Sequence, residues 1–166
     1  TPRQALLAAK ASRRKETPQV EFIPSTMTYL LPPLVERVRA TLPEDQEIYL
    51  VGGAVRDLLL GRELHDLDFV LPSRAIASSR KLANTLQAHF FPLDEERDAG
   101  RMLVGEGAEQ VTLDFIAMQG ASIDADLAGR DLTINAMAID LRQPEALLDP
   151  LGGAADLAAR RLRACG

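Results

Sequence analysis

Two aspartates and a glycine-rich turn that carries an arginine lie close together in the sequence. The segment Tyr49-Leu-Val-Gly-Gly-Ala-Val-Arg-Asp-Leu-Leu-Leu-Gly61 is followed closely by His65-Asp-Leu-Asp-Phe-Val70. Glycine lets the backbone approach an anion, and arginine can donate two hydrogen bonds to one phosphate. Paired carboxylates repel each other unless a cation joins them, and oxygen ligands of this kind suit Mg2+. The combination predicts a site for a nucleoside triphosphate and its metal, where phosphoryl-type transfer is the natural chemistry.

Local elements must hold these side chains in place. Residues 48–51 predict the end of a buried strand, and Gly52 and Gly53 allow the bend that follows it. Residues 54–60 predict a short apolar helix, whose free backbone amides would face an anion. The glycines therefore connect a strand to a helix at the predicted triphosphate site.

The carboxylates belong to predicted strands. Asp66 and Asp68 are two residues apart, so their side chains point to the same face. Asp114 stands alone among apolar residues on a later strand, and two interpretations stay open for it: a buried aspartate satisfied by hydrogen bonds, or a member of the site. Short apolar or alternating runs predict three strands that extend the sheet: 90–93, 101–104 and 110–117.

Two helices are predicted to flank the sheet. Leu34, Val35, Val38 and Leu42 recur at helical spacing, and prolines at the entry suit the first turn of a helix over 33–42. A second helix is predicted over 73–88, with Ser73 as its N-cap.

Three ordered blocks resemble one family of enzymes. The first is Gly-Gly-x-x-Arg-Asp, followed by Gly and then Asp-x-Asp; the others are Asp126-Leu-Ala-Gly-Arg-Asp-Leu-Thr-Ile-Asn-Ala-Met-Ala-Ile-Asp140 and Leu148-Asp-Pro-Leu-Gly-Gly-Ala-Ala-Asp-Leu157. Together they resemble the class II nucleotidyltransferases, which contain CCA-adding enzymes and bacterial poly(A) polymerases, across residues 47–166. A dinucleotide-binding Rossmann motif does not fit, because its third glycine is missing.

The resemblance implies a fold and a set of site residues. The fold is an α/β (α+β) nucleotidyltransferase fold of the DNA polymerase β type, a mixed or antiparallel sheet of about five strands with flanking helices. The implied catalytic residues, which are also the implied metal ligands, are Asp66, Asp68 and Asp114. The implied nucleotide-binding residues are Gly52, Gly53, Arg56, Arg130, Asp131 and Asn135.

Some positions depart from the family pattern or carry a structural interpretation. Gly129 replaces the first arginine of an Arg-Arg-Asp block, and Gln119 replaces an arginine that often follows the third carboxylate by five residues. Asp57 is interpreted as a partner that orients Arg56, so it is left out of the catalytic set. The segment 149–153 is interpreted as a turn that leads into a terminal helix.

The resemblance also implies a reaction and its partners. Two Mg2+ ions would assist an RNA 3′-hydroxyl to attack the α-phosphate of ATP or CTP, with release of pyrophosphate. The favoured product is the CCA end of tRNA; addition of C alone, A alone or poly(A) are alternatives. A noncatalytic module that binds nucleotide or RNA is a hypothesis from another class. The neck that selects the base and the helices that hold RNA in the family have no counterpart before Gly166.

The amino-acid composition limits the classes of protein to which the chain can belong. The chain has 166 residues, 46% hydrophobic and 26% charged, with a net charge of −5, which is typical of a soluble globular domain. No apolar run predicts a membrane span or a signal peptide, so a cytoplasmic protein is expected, and Cys165 alone excludes an internal disulfide. The predicted organisation is a basic extension over 1–25, a candidate for RNA contact or a disordered tail, and a nucleotidyltransferase head domain over 26–166. Protein partners are not predicted.

Overall fold

The computed structural model describes residues 29–166, and the predicted basic extension over 1–25 lies outside them. Among the described residues, no helix has the length and apolar character needed to cross a bilayer. The helices are α1 (Pro33–Thr41), α2 (Gly53–Leu59), α3 (Ala75–Leu86), α4 (Ile123–Ala128) and α5 (Gly153–Ala158). The strands are β1 (Tyr49–Val51), β2 (Asp66–Leu71), β3 (His89–Asp94), β4 (Ala99–Val104), β5 (Val111–Ala117), β6 (Ala138–Asp140) and β7 (Leu147–Leu148).

The strands form one mixed sheet in the order β3-β4-β5-β2-β1-β6-β7. β2 and β5 are parallel, and the other described neighbours are antiparallel. The predicted mixed sheet is confirmed, but the predicted count of about five strands was too low. β6 and β7, of three and two residues, are the additional strands. Strands this short carry too few residues to show an alternating pattern, so their pairing cannot be recognised locally.

One face of the sheet is buried under helices. Val35 and Val38 of α1 are fully buried and share a core cluster with Phe69 of β2 and Phe115 of β5. The two phenylalanine rings stack with their centroids 4.9 Å apart, which holds the parallel strands together on this side. The prediction that the first helix packs on the sheet is confirmed.

The opposite face is only partly covered. Val51 of β1, Val70 of β2 and Leu127 of α4 are fully buried in a second, smaller apolar cluster. At the other end of β2, Asp66 and Asp68 occupy alternate positions on this same face and are exposed. This open surface, which we call the open face, therefore joins an acidic strand end to a small apolar core.

The start of α3 is capped differently from the prediction. The helix begins at Ala75, and the predicted cap, Ser73, lies outside it. The backbone N–H groups of Ala75 and Ile76 instead donate to the Asp98 carboxylate at 2.8 and 2.9 Å. Asp98 comes from the turn between β3 and β4. A carboxylate distant in sequence therefore supplies the cap that a local serine was expected to give.

Candidate active site

The three predicted carboxylates lie side by side on the open face. Asp66 and Asp68 occupy alternate positions of β2, and Asp114 of β5 is the parallel partner of Asp68. Directly paired residues of neighbouring strands project their side chains to the same side of a sheet. The structure therefore brings together the aspartates that the sequence analysis grouped, and we call Asp66, Asp68 and Asp114 the acidic row.

The charge of Asp68 is disfavoured by its surroundings. Although the side chain reaches solvent, loss of hydration raises its pKa above the usual value for aspartate, and the negative charge of Asp114 raises it further. Asp66 adds to the rise, while Arg130 and Arg101 oppose it. A carboxylate crowded by other carboxylates is one that a bound cation stabilises. The oxygen donors of this row therefore fit a hard divalent cation such as Mg2+.

Asp114 is held by a neighbouring arginine. Arg101 of β4 is its antiparallel partner, and the guanidinium donates from Nε to Oδ1 at 2.7 Å and from Nη2 to Oδ2 at 2.8 Å. These hydrogen bonds raise the pKa of Arg101 above its ordinary value. Asp114 is therefore satisfied by hydrogen bonds, although it is half-buried rather than buried. Within residues 29–166, no group of three or more Asp, Glu, His or Cys side chains is arranged to hold a metal ion as it stands.

The glycine turn after β1 brings the positive side chains to the row. Gly52 has a φ of 71°, a left-handed conformation that glycine adopts without strain. A Cβ on Gly52 would lie 3.1 Å from Nη1 of Arg130 and 3.9 Å from Oδ2 of Asp68. A Cβ on Gly53 would lie 3.2 Å from Nη2 of Arg56. The two glycines therefore leave room for two guanidinium groups beside the backbone.

Arg56 is fixed by partners on both sides. Its Nε and Nη2 donate to the two carboxylate oxygens of Asp57 at 3.0 and 3.3 Å, and Nη1 donates to Oδ1 of Asn135 at 2.7 Å. The interpretation of Asp57 as the partner that orients Arg56 is confirmed. A guanidinium has five N–H donors, so these bonds leave two for a ligand.

Arg130 is anchored by an aspartate that the sequence analysis left without a role. Asp126, which is 6% exposed, accepts from Nη2 of Arg130 at 3.1 Å and from Nε at 3.4 Å. Its other oxygen accepts the backbone N–H of Gln119 at 2.8 Å. Nη1 of Arg130 is left on the side that faces Gly52.

Asp131 and Asn135 fix the loop that follows Arg130. Asp131 accepts the backbone N–H of Leu132 at 2.7 Å and Nδ2 of Asn135 at 3.4 Å. The bond from Leu132, followed by that from Asn135, lowers the pKa of Asp131 below its usual range. Asn135 therefore connects Asp131 to Arg56, because its Oδ1 accepts from the guanidinium.

The C-terminal segment supports this loop from behind. Buried Asp156 of α5 accepts the hydroxyl of Thr133 at 2.6 Å and Nε of Arg163 at 2.9 Å. Asp149 caps α5 by accepting the backbone N–H of Gly153 at 2.6 Å. A Cβ on Gly153 would collide with the carbonyl oxygen of Thr133. The segment 149–153 is structural, as predicted.

The sequence analysis missed two residues that hold site side chains, for different reasons. Asp126 of α4 lies four residues before Arg130, which follows the end of that helix, and an acid-to-arginine spacing of about one helical turn is a recognisable pairing signal. Arg101 was assigned only to a strand, because its pairing with Asp114 depends on the register between β4 and β5. That register is a long-range property, and no local pattern in the sequence announces it.

Known proteins match the part of the chain that contains these strands, helices and site residues. Residues 48–117 and 106–163 match the family model of the poly A polymerase head domain. The CC-adding tRNA nucleotidyltransferase of Geobacter sulfurreducens is 50% identical over 118 residues, which cover 70% of this chain and 26% of that protein. The A-adding tRNA nucleotidyltransferase of Deinococcus radiodurans is 46% identical over 114 residues, which cover 69% of this chain and 24% of that protein.

A solved structure agrees with this relationship. The crystal structure of a tRNA nucleotidyltransferase complexed with a primer tRNA and an incoming ATP analog has a TM-score of 0.67 and 32% identity, over 78% of this chain and 39% of that one. The chain spans about a quarter of the length of the two curated relatives. The nucleotidyltransferase fold implied by the sequence motifs is confirmed, and the chain belongs to the poly A polymerase head domain family.

Proposed function

We propose that this chain is the catalytic head of a template-independent RNA nucleotidyltransferase. It would transfer a nucleoside monophosphate from CTP or ATP to an RNA 3′-hydroxyl, with completion of the tRNA CCA end as the favoured reaction. The observation that carries this proposal is that the acidic row and the guanidinium of Arg130 lie beside the same turn, at Gly52. A metal–triphosphate has positive and negative parts, and this surface offers a partner for each.

Mg2+ would be held by oxygen atoms of Asp66, Asp68 and Asp114, and two ions are expected. The raised pKa of Asp68 supports a cation in this position, because the bound charge would offset the repulsion from Asp114. When bound, the metal neutralises phosphate charge and makes the attacking hydroxyl more acidic. The remaining contributions come from the side chains and backbone of the chain itself.

The arginines and glycines would bind the triphosphate. Arg56 has two N–H donors left for phosphate oxygens, and its bonds to Asp57 and Asn135 keep the guanidinium in place. Arg130 would offer Nη1, and Gly52 would allow the phosphates to approach the backbone closely. In this position the RNA 3′-oxygen would attack the α-phosphorus, the bond between the α-phosphorus and the pyrophosphate leaving group would break, and the hydroxyl proton would pass to solvent water. Asp131 and Asn135 hold the loop that contacts the nucleotide.

The names of the relatives favour tRNA as the RNA partner, and we place this reaction in the cytoplasm. The two relatives described above are named for adding CC and A to tRNA, and the solved neighbour contains primer tRNA with an ATP analog. Poly(A) addition is the second candidate, because the matching family model carries that name. The intact carboxylate row argues against a module that only binds nucleotide or RNA, since a binder does not need three metal ligands.

The test is transfer of labelled AMP and CMP to tRNA that lacks its CCA end and, separately, to a generic oligonucleotide. The full-length protein should add nucleotides in the presence of Mg2+, and the pair of substitutions Asp66→Asn and Asp68→Asn should abolish transfer. Asp45→Asn is the matched control, because Asp45 is an exposed aspartate outside the site. Addition of A alone to generic RNA would favour poly(A) synthesis. Absence of transfer by the unaltered protein would contradict the proposal.

A further inference from the structure

A positive side chain extends the acidic row on the open face. Arg101 of β4 pairs with Asp114 of β5, and Asp114 pairs in turn with Asp68 of β2. The three residues therefore stand side by side across three neighbouring strands. The function proposed above gives Arg101 no contact with the triphosphate or with RNA.

The ion pair turns the third carboxylate away from its acidic neighbours. Both oxygens of Asp114 accept hydrogen bonds from Arg101, at 2.7 and 2.8 Å, so the carboxylate is directed towards β4 rather than β2. A guanidinium that binds both oxygens also repels any second cation approaching them. Asp114 can turn towards a metal next to Asp68 only by giving up part of this two-pronged contact with Arg101.

The surroundings of Arg101 permit that release. Its side chain is 35% exposed, and the Asp114 side chain is 26% exposed, so neither partner is locked in the core. A freed guanidinium can be hydrated where it stands, which keeps the cost of opening the pair small compared with that of a buried pair.

We propose that Arg101 is a positioning residue that holds Asp114 out of the metal site until a metal–triphosphate binds. The metal and the guanidinium compete for the same carboxylate, and the triphosphate favours the metal because its oxygens supply further ligands. The proposal rests on the proposed function, since it takes Asp114 as a metal ligand. Its consequence is that the site binds divalent metal weakly when no nucleotide is present.

The test measures Mn2+ binding to the whole chain without nucleotide, by the loss of the free-ion signal in electron paramagnetic resonance. Arg101→Gln removes the competitor and should tighten Mn2+ binding about tenfold. Arg101→Lys keeps the charge but loses the two-pronged contact, so its affinity should lie between those of the other two proteins. Arg97→Gln is the matched control, because Arg97 is an exposed arginine that pairs with half-buried Asp94 on the β3–β4 hairpin, outside the group of Asp66, Asp68 and Asp114.

A second pair of variants separates competition at Asp114 from a general effect of charge. In an Asp114→Asn background, Arg101→Gln should tighten Mn2+ binding by much less than tenfold, because the contested carboxylate is gone and only the weaker effect of the Arg101 charge on Asp68 remains. Tightening of the same size in both backgrounds, or no tightening by Arg101→Gln alone, would overturn the proposal. If the unaltered chain binds neither Mn2+ alone nor a labelled triphosphate in the presence of Mn2+, the latter measured by retention of the label on the protein, both this inference and the proposed metal site are wrong. If Mn2+ binds through Asp68 but is indifferent to Arg101, only this inference is wrong.

Discussion

Two arginine–aspartate pairs border the open face, and they are built in opposite ways. In the pair of Asp126 and Arg130, the aspartate is buried and its other oxygen is occupied by the backbone of Gln119. In the pair of Asp114 and Arg101, the carboxylate is half-buried and both oxygens are taken by the arginine. The first aspartate has no freedom to leave, whereas the second can change partner.

The difference shows which member of each pair is available to a ligand. Asp126 is fixed by the protein, so it presents Arg130, whose Nη1 remains on the side of Gly52. Arg101 is the more exposed member of its pair, and the carboxylate that it holds stands next to Asp68. The two pairs therefore differ in the bonds of the aspartate. Asp126 also binds the backbone and is a permanent support, whereas the Asp114 carboxylate binds only Arg101 among residues 29–166 and can exchange it for another cation.

The largest expected effect comes from removing the exchangeable carboxylate. Asp114→Asn should reduce the turnover number of the proposed nucleotide transfer by about a hundredfold or more, because the proposed metal ligand is lost, while triphosphate affinity changes much less. Steady-state kinetics with CTP and ATP would measure both quantities. Equal losses in turnover and affinity would mean that Asp114 acts in binding rather than in chemistry, and the contrast with Asp126 would fail.

The next effect is on the permanent support. Asp126→Ala should lower the free energy of unfolding by about 2–3 kcal/mol, because Arg130 and the Gln119 amide both lose a charged partner. It should also weaken triphosphate binding about tenfold, since Arg130 is no longer held. Urea unfolding and nucleotide titration would measure the two effects. Asp124→Ala is the control, because Asp124 is exposed on the same helix, and similar losses in both variants would contradict the assigned role.

A smaller effect is expected at the glycine turn. Gly52 combines φ 71° with ψ −138°, a backbone region that residues other than glycine rarely adopt, so alanine there should cost about 1–3 kcal/mol of backbone strain. Gly61 also has a positive φ, of 65°, and alanine there should cost about 1–2 kcal/mol. A Cβ at Gly61 meets nothing within 4 Å, whereas one at Gly52 presses on Arg130. Only Gly52→Ala should therefore weaken triphosphate binding. Equal affinities for the two variants, measured by nucleotide titration, would show that Arg130 does not depend on this space.

The smallest effect is a pH dependence of stability in the absence of metal. Because the pKa of Asp68 is raised in the folded protein, the folded state binds a proton more tightly than the unfolded state. Ionised Asp68 therefore lowers the free energy of unfolding at neutral pH, and this cost disappears as the pH falls through the raised pKa.

Asp68→Asn should consequently be more stable than the unaltered protein at neutral pH with a chelator present. The advantage should shrink on acidification towards the ordinary pKa range of aspartate. Urea unfolding at a series of pH values would measure it. An unaltered protein that is the more stable one at neutral pH would show that the acidic row costs no stability.

Local sequence patterns predicted the positions of the aspartates better than those of the residues that hold the site side chains in place. Asp66 and Asp68 could be placed on one face because alternation along a strand is a local property. The first helix and the turn at Gly52 were recognised for the same reason. Motif resemblance, rather than the alternation itself, grouped Asp114 with the other two aspartates.

The features that the sequence did not predict all depend on contacts between segments that are distant in the chain. Asp98 caps α3 from more than twenty residues away in the sequence. β6 pairs with β1 although four other strands lie between them in the sequence. Arg101 faces Asp114 only because β4 and β5 pair in one particular register. Such pairings are decided by the burial of a whole face, so a short stretch of sequence does not contain them.

The insertion of β5 between β4 and β2 has a consequence for how the protein is made. β2 is synthesised before β5, and its parallel pairing must wait for that later strand. Closing such a long loop slows folding, because chain entropy is lost before the contacts form. The acidic row is therefore completed late, and a nascent chain that ends before β5 has the paired aspartates of β2 but not the third. Divalent ions and nucleotides would then meet this site only once the centre of the sheet has assembled.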